Sequence, residues 1–494
     1  MKSSNSLFEL VKSLTPAEKR YFKVFAQRHV KGEENNYVLL FNAIDKQDVY
    51  DEAQLLKKMR VQLLVRHFSS EKNYLYKLIL KAMNAYDLDK SVDAKIQELI
   101  GFTTFFRKKR LYQQALKQLD KAKKLAVKYE RYFYLVNILH IETTIINYSH
   151  ELRNQKRLKI NQIEMEAAFE KAQLYDEYKH LFDEVFWKNN KGMYATNQEQ
   201  KTYFEQKLQS PLLQNPCPLS DFRTQKLYYQ ILQICYVQTH QAQNGYDCAQ
   251  KIVDLYESQT HFMTNEMDNY ISMLGNTIVS CYQLGNLEAM YQVIQKLRAV
   301  PAQTFNQEVA VFETSYNAEI AYYNQKKDYK KIEELLIGIE QKLNRYGSRI
   351  KQPSLMVWYY NMASLYFALT YYDKSLDWLN RFFDLYISGV REDTYNKAIF
   401  LNLFLHWELG NHRLLESLLR SASNYLLQKK NVYSFEKQFL SFFKKLLNLP
   451  IEAKTERMAL LQSLNSDLQQ IEGKVEKRFL NSTVILTWLE KQLT

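Results

Sequence analysis

A chain of 494 residues with 46% hydrophobic and 14% aromatic residues can bury a large core, which excludes general disorder. Its 11 glycines and 7 prolines are few for that length, which argues for helix and against a β-sandwich or a Gly-rich nucleotide-binding fold. The net charge of +13 is concentrated in one segment: between Lys95 and Lys159, fifteen Lys/Arg stand against five Asp/Glu.

Residues 1–92 form a block of their own. Thr15-Pro16-Ala17-Glu18 is a capping box with proline at the first helical position, predicting a helix to about His29. Further helices are expected near Tyr37–Asp45, Glu52–Val65 and Ser70–Tyr86. The last two invite comparison with a DNA-binding helix-turn-helix, in which Lys72, Lys77 and Lys81 would meet phosphates. The turn lacks a glycine and the second helix is rich in Tyr and Leu, so an N-terminal helical cap domain is the preferred reading. LTPAEKRYFKVFA together with KNYLYKLILKAM (Lys72–Met83) resembles the start of an uncharacterised bacterial family of helical-repeat proteins, which brings no activity with it.

Asp87, Asp89, Ser91, Asp93 and Glu98 fall at the oxygen-ligand positions of a calcium loop. Val92 stands where that loop needs glycine, so helix-capping aspartates are the preferred reading.

A repeat array starts near Lys95. Leu99, Phe102, Thr103, Phe106, Ala115, Leu119 and Ala122 make one helical hairpin. Lys117, Lys121, Lys124 and Lys128 form the opposite, basic face of its second helix. Arg107-Lys108-Lys109-Arg110 sits at the turn, where it would meet the first helix's C-terminal dipole. Helices are expected at Phe133–Tyr148, Leu158–Leu174 and Tyr178–Trp187, the last ending at Asn189-Asn190-Lys191-Gly192. The proline-rich stretch 210–220, SPLLQNPCPLS, reads as a loop between sub-arrays at 93–209 and 221–472. Turn signals then fall at Gly245, Gly285, Asp328, Tyr371, Gly410 and Pro450, at steps of 40, 43, 43, 39 and 40 residues. A last helix, Lys474–Gln492, within the terminal segment 473–494, reads as a C-terminal cap.

The rest of the chain echoes the unit Leu355–Tyr386, although the hairpin at Leu99–Ala122 is the cleaner match to the same pattern. Tyr359, Met362-Ala363, Tyr366, Ser375 and Leu379 stand at the spacings of a tetratricopeptide repeat, and the unit resembles that family. Phe382 replaces the family's second alanine and the closing proline is missing. The period exceeds the family's 34 residues, and period alone also fits HEAT-like pairing. The resemblance implies an all-α, right-handed superhelical α-solenoid of stacked antiparallel helix hairpins. It also implies a groove contacted by the first helix of each pair. Arg107, Lys108, Tyr282, Tyr360, Asn361, Ser364 and Phe367 are the candidate contacts there, against burial as the competing reading of each aromatic.

The four cysteines, Cys217, Cys235, Cys248 and Cys281, contain no C-x-x-C pair and read as reduced core thiols. The N-terminal apolar run is broken by Glu9 and Lys12, unlike a signal peptide, and no stretch of about 18 uncharged apolar residues predicts a membrane span. A cytoplasmic location is the expectation. No Walker, G-x-G-x-x-G, H-E-x-x-H or G-x-S-x-G motif occurs, and His240/His261 and His406/His412 lack metal-ligand spacing. No catalytic, cofactor-binding or metal site is expected. The leading expectation is a non-catalytic scaffold that binds a peptide or protein partner. The alternative is a peptide-sensing or nucleic-acid-associated regulator with an N-terminal helical DNA-binding module, to which the basic segment 95–159 would contribute.

Overall fold

The computed structural model describes residues 5–27, 35–47, 50–58, 68–87, 91–149, 154–189, 198–214, 220–347, 350–387, 390–427, 433–450, 453–471, 476, 480 and 484–493. Among these residues the protein is helical, with no strand. In chain order the helices are α1 (Ser6–Ser13), α2 (Pro16–Gln27), α3 (Asn36–Asp45), α4 (Glu52–Lys58), α5 (Phe68–Asp87), α6 (Val92–Lys108), α7 (Tyr112–Lys128), α8 (Tyr132–Tyr148) and α9 (Gln155–Asn189). Then come α10 (Gln198–Leu208), α11 (Pro211–Gln214), α12 (Phe222–Gln238), α13 (Ala242–Ser258), α14 (Thr260–Asn265), α15 (Met267–Leu284), α16 (Leu287–Arg298) and α17 (Phe305–Lys326). The chain closes with α18 (Tyr329–Tyr346), α19 (Gln352–Ala368), α20 (Tyr372–Leu385), α21 (Glu392–Glu408), α22 (His412–Leu427), α23 (Ser434–Leu447), α24 (Lys454–Gln469) and α25 (Ile485–Leu493).

The chain divides into two compact units. The first comprises Met1–Glu184, Asn215–Tyr228 and Gln259–Asn265; the second comprises Val185–Gln214, Tyr229–Ser258 and Glu266–Thr494.

In the first unit, α2 begins as the capping box requires. Thr15 Oγ1 accepts from the Glu18 N–H at 3.3 Å, and the Glu18 carboxylate accepts from the Thr15 N–H at 2.6 Å. Phe22, Ala26, Leu40, Phe41, Leu75, Ile79 and Ala82 close a small core among α1–α5. Farther along, α6, α7 and α8 pack consecutively. Ala115, Leu119, Ala122 and Ala126 line the buried side of α7. A long-range cap ties the start of α12 to the α7–α8 turn. The Glu130 carboxylate accepts from the N–H groups of Phe222 at 2.9 Å and Arg223 at 2.8 Å. Two of the N–H groups that a helix start leaves without intrahelical partners are thereby satisfied. Beside them Tyr132 donates its hydroxyl to Asp221, Lys171 pairs with Asp221 at 3.1 Å, and the Phe222 and Phe262 rings stack at 4.1 Å.

In the second unit, helices from α15 onward pack mainly on their neighbours in the chain, and α15 with α17 and α19 with α21 also pack one helix further on. One apolar core runs from Val309 to Leu489. The α19–α20 hairpin shows why small residues sit where they do. Ser375 Oγ donates to the Ala363 carbonyl at 2.8 Å, and both residues are fully buried. In the first unit Thr103 Oγ1 likewise donates to the Leu99 carbonyl at 2.8 Å and lies 3.5 Å from that of Ala115.

The turns share one geometry. Arg110, Glu130, His240, Gly285, Lys327, Thr370 and Gly410 all have φ between 53° and 71°. In each case the next residue's N–H bonds the carbonyl five residues back, as in Asn286 to Cys281 at 3.0 Å and Tyr371 to Tyr366 at 2.9 Å. That is a Schellman ending, in which a left-handed residue turns the chain and satisfies the last carbonyls. The turn expected at Gly245 is instead at His240. Gly245 is buried inside α13, where a Cβ would stand 3.2 Å from Val237 Cγ2, so its smallness serves helix approach.

Two further expectations change. Leu158–Leu174 and Tyr178–Trp187 belong to one uninterrupted helix, α9, because no glycine or proline separates them. Part of the proline-rich stretch is the short helix α11, with Pro211 as its first residue; 215–219, including Cys217, lie outside the described residues. So do 59–65 of the helix expected at Glu52–Val65, 190–192 of the expected stop, and most of 474–483 in the last predicted helix.

Candidate functional site

A concavity of the second unit, about 810 Å³, is lined by α15, α17, Met290 of α16 and the start of α19. Its walls are apolar at Ile278, Val279, Met290, Ala318 and Ala321, and polar at Tyr282, Gln283, Glu313, Asn317 and Ser354. A smaller cavity of about 220 Å³ shares Glu313, Asn317 and Ser354 and continues along Val357 and Trp358 to Arg391, just before α21.

Small side chains open this groove. Gly275 lies on the α15 wall, and a Cβ there would come within 3.1 Å of Thr314 Cγ2. The alanines do the same for α17, while Val279 and Tyr282 stay 42% exposed. Amides line its length: Asn361 Nδ2 approaches Asn317 Oδ1 at 3.4 Å, and Asn317 Nδ2 donates to the Glu313 carbonyl at 2.8 Å. The Tyr282 hydroxyl accepts from Gln325 at 3.0 Å. Burial raises the Glu313 carboxyl above its ordinary range, against the Trp358 indole hydrogen bond and the charge of Lys351, which both lower it.

The predicted contact residues separate into two sets. Tyr282 lines the groove, and Asn361 borders it through its 3.4 Å contact with Asn317. Tyr360, Ser364 and Phe367 are buried, at 5%, 7% and 2% exposure, and present no surface to a partner. They face the core because α19 is apolar on every side, so periodicity does not single out an outer face. Arg107 and Lys108 belong to the first unit, in the last turn of α6. The sequence reading missed Gly275, Val279, Glu313, Asn317, Ala318 and Ala321. The one signal was the recurrence of small residues on first helices, here Gly275, Ala318 and Ala321.

Lys117, Lys121, Lys124 and Lys128 are all exposed on α7. In the N-terminal block Lys72 is not free for phosphate, being paired with Glu52 at 2.6 Å. Leu75, Leu78, Ile79 and Ala82 of α5 are buried, so that helix packs as a core element. In the candidate calcium loop, 88–90 lie outside the described residues. Ser91 caps α6 through the Ala94 N–H at 3.3 Å, Asp93 pairs with Arg131 at 2.5 Å, and Glu98 pairs with Lys95 at 2.7 Å.

Among the described residues no group of three or more His, Cys, Asp or Glu is placed to hold a metal ion. Cys235, Cys248 and Cys281 are buried free thiols whose pKa values burial pushes up to about 12, 11 and 11. The two histidine pairs are apart in role. His240 is a left-handed turn residue and His261 contacts the Lys128 carbonyl at 3.2 Å, while His406 is buried against Asn411 at 3.1 Å and His412 lies beside Trp407. Among the described residues no helix is long and apolar enough to cross a membrane.

No protein-family model matches the chain, and no curated protein matches it, so the likeness to tetratricopeptide repeats rests on the residues quoted above alone.

Proposed function

We propose that this protein is a non-catalytic interaction scaffold. In this reading its helix hairpins stack as a tetratricopeptide-like array, and the groove over α15, α17 and α19 holds an extended peptide segment of a partner protein. The observation that carries the reading is that the first helices of three consecutive hairpins contribute to one concavity. Its volume, about 810 Å³, is that of sites which enclose ligands of several hundred daltons, or a few residues of peptide. Apolar walls would take alternate side chains, and Gln283, Asn317 and Asn361 would take main-chain amides. Separate pockets for side chains and amides for the backbone fit an extended peptide better than a compact small molecule.

A displayed random-peptide library selected on the whole protein tests this. Enriched peptides are expected to bind the parent protein at least tenfold more tightly than Val279→Arg or Ala321→Trp, a difference of about 1.4 kcal/mol. Because Val279 is exposed, the arginine variant should melt with the parent. Failure to enrich any peptide, or equal binding to both variants, removes the groove as the site.

A further inference from the structure

The basic segment 95–159 belongs to the first unit. In the segment 95–159 the described acids are spent within the protein. Glu98 is paired with Lys95 at 2.7 Å, and Glu142 with Arg157 at 2.6 Å and Lys123 at 3.8 Å. Asp120 lies 3.9 Å from Arg157, and Glu130 caps α12. Lys117, Lys121, Lys124 and Lys128 are left exposed, with no ion pair among the described residues. At 3.6 residues per turn they fall within an arc of about 60°, and at 1.5 Å per residue they form a row about 17 Å long. Arg157 brings the start of α9 beside Asp120, adding Lys156 and Lys159, both exposed, within its first five residues.

We propose that this row binds the phosphate backbone of duplex nucleic acid without reading its sequence. Lysine is depleted from protein–protein interfaces, whose energy is carried by Trp, Tyr and Arg anchors; beside these lysines the Tyr129 ring is part-buried and lies under Lys128 Nζ at 5.4 Å. Insertion into a bilayer needs an apolar face at the surface, whereas Ala115, Leu116, Leu119, Ala122 and Ala126 of α7 are buried in the core. Phosphates need neither anchor nor apolar face, because each neutralised phosphate releases counterions. The face is separate from the groove of the second unit and stands or falls independently of it.

Binding of the whole protein to a labelled random-sequence RNA or DNA duplex, measured between 50 and 300 mM salt, tests the proposal. Affinity should fall linearly in log–log form. The quadruple variant Lys117→Gln, Lys121→Gln, Lys124→Gln, Lys128→Gln should lower the slope by about 3 to 4, at about 0.9 per phosphate contact on duplex DNA. It should weaken binding at least tenfold at 100 mM salt and leave the melting temperature unchanged. A matched variant of the exposed lysines Lys437, Lys444, Lys445 and Lys454 controls for net charge. No binding at 50 mM salt, an equal loss in both variants, or binding to anionic phosphatidylserine vesicles but not to duplexes would each overturn it.

Discussion

At the scale of single residues, the turns decide where each helix ends. Five of the seven left-handed Schellman residues carry side chains, and only Gly285 and Gly410 are glycine. A side chain in that conformation costs about 1 kcal/mol. Lys327→Gly should therefore raise unfolding stability by roughly that amount, less the entropy that glycine adds to the unfolded chain. Gly285→Ala should lower it by about 1 kcal/mol through the backbone alone, since a Cβ there meets nothing within 4 Å. Urea unfolding of the two variants measures both, and changes of the opposite sign would contradict the turn geometry. This also explains what the sequence showed of the rhythm. Gly285 and Gly410 were readable as turns, the turns at Lys327 and Thr370 were readable one residue later at Asp328 and Tyr371, and His240 announces nothing by residue type. A second residue-scale effect is acidic. Burial lowers the His406 pKa from its ordinary 6.5, so the unfolded chain takes up that proton first. The associated stability is present above about pH 6.5 and is lost as pH falls through the lower folded value. Melting temperature should drop between pH 7.5 and 5.5, and less so in His406→Gln; an equal drop in both would remove His406 as the cause.

At the scale of elements, helix starts are held by residues far away in sequence. Glu130 reaches α12 across 92 positions, a pairing that no local pattern contains. The Thr15–Glu18 box, by contrast, was legible because donor and acceptor lie three residues apart. Glu130→Ala leaves the Phe222 and Arg223 N–H groups without their acceptor and should cost about 1–2 kcal/mol. Glu130→Gln keeps an acceptor oxygen and should cost less. Equal stability of the alanine variant and the parent in urea would show that the cap contributes nothing. Helix identity was readable along most of the chain from periodicity, yet α9 was divided in two, because loss of an apolar stripe was taken for a break. Its apolar residues do not keep to one stripe, yet the backbone runs without interruption from Gln155 to Asn189.

At the scale of the molecule, hairpin rhythm was legible and the groove was not. Tyr360 and Phe367, for which burial was the competing expectation, and Ser364 lie in the core, while the lining of the groove, with Gly275, Ala318 and Ala321, comes together only through α15, α17 and α19. The last helix acts over a similar distance. In the second unit, Trp488 of α25 donates to Glu408 at 2.8 Å and meets the Phe404 ring at 4.7 Å, and Lys491 bonds the Ala368 carbonyl at 2.7 Å. The helix thus fastens the ends of α19 and α21. Trp488→Ala should cost about 3–5 kcal/mol and speed proteolysis near those helix ends. An unchanged cleavage pattern would deny it that part. The groove itself is tested most directly by hydrogen–deuterium exchange of the whole protein, with and without a selected peptide. Slowed exchange confined to 275–283, 313–321 and 353–358 is the predicted result; protection elsewhere, with those segments unchanged, would contradict it.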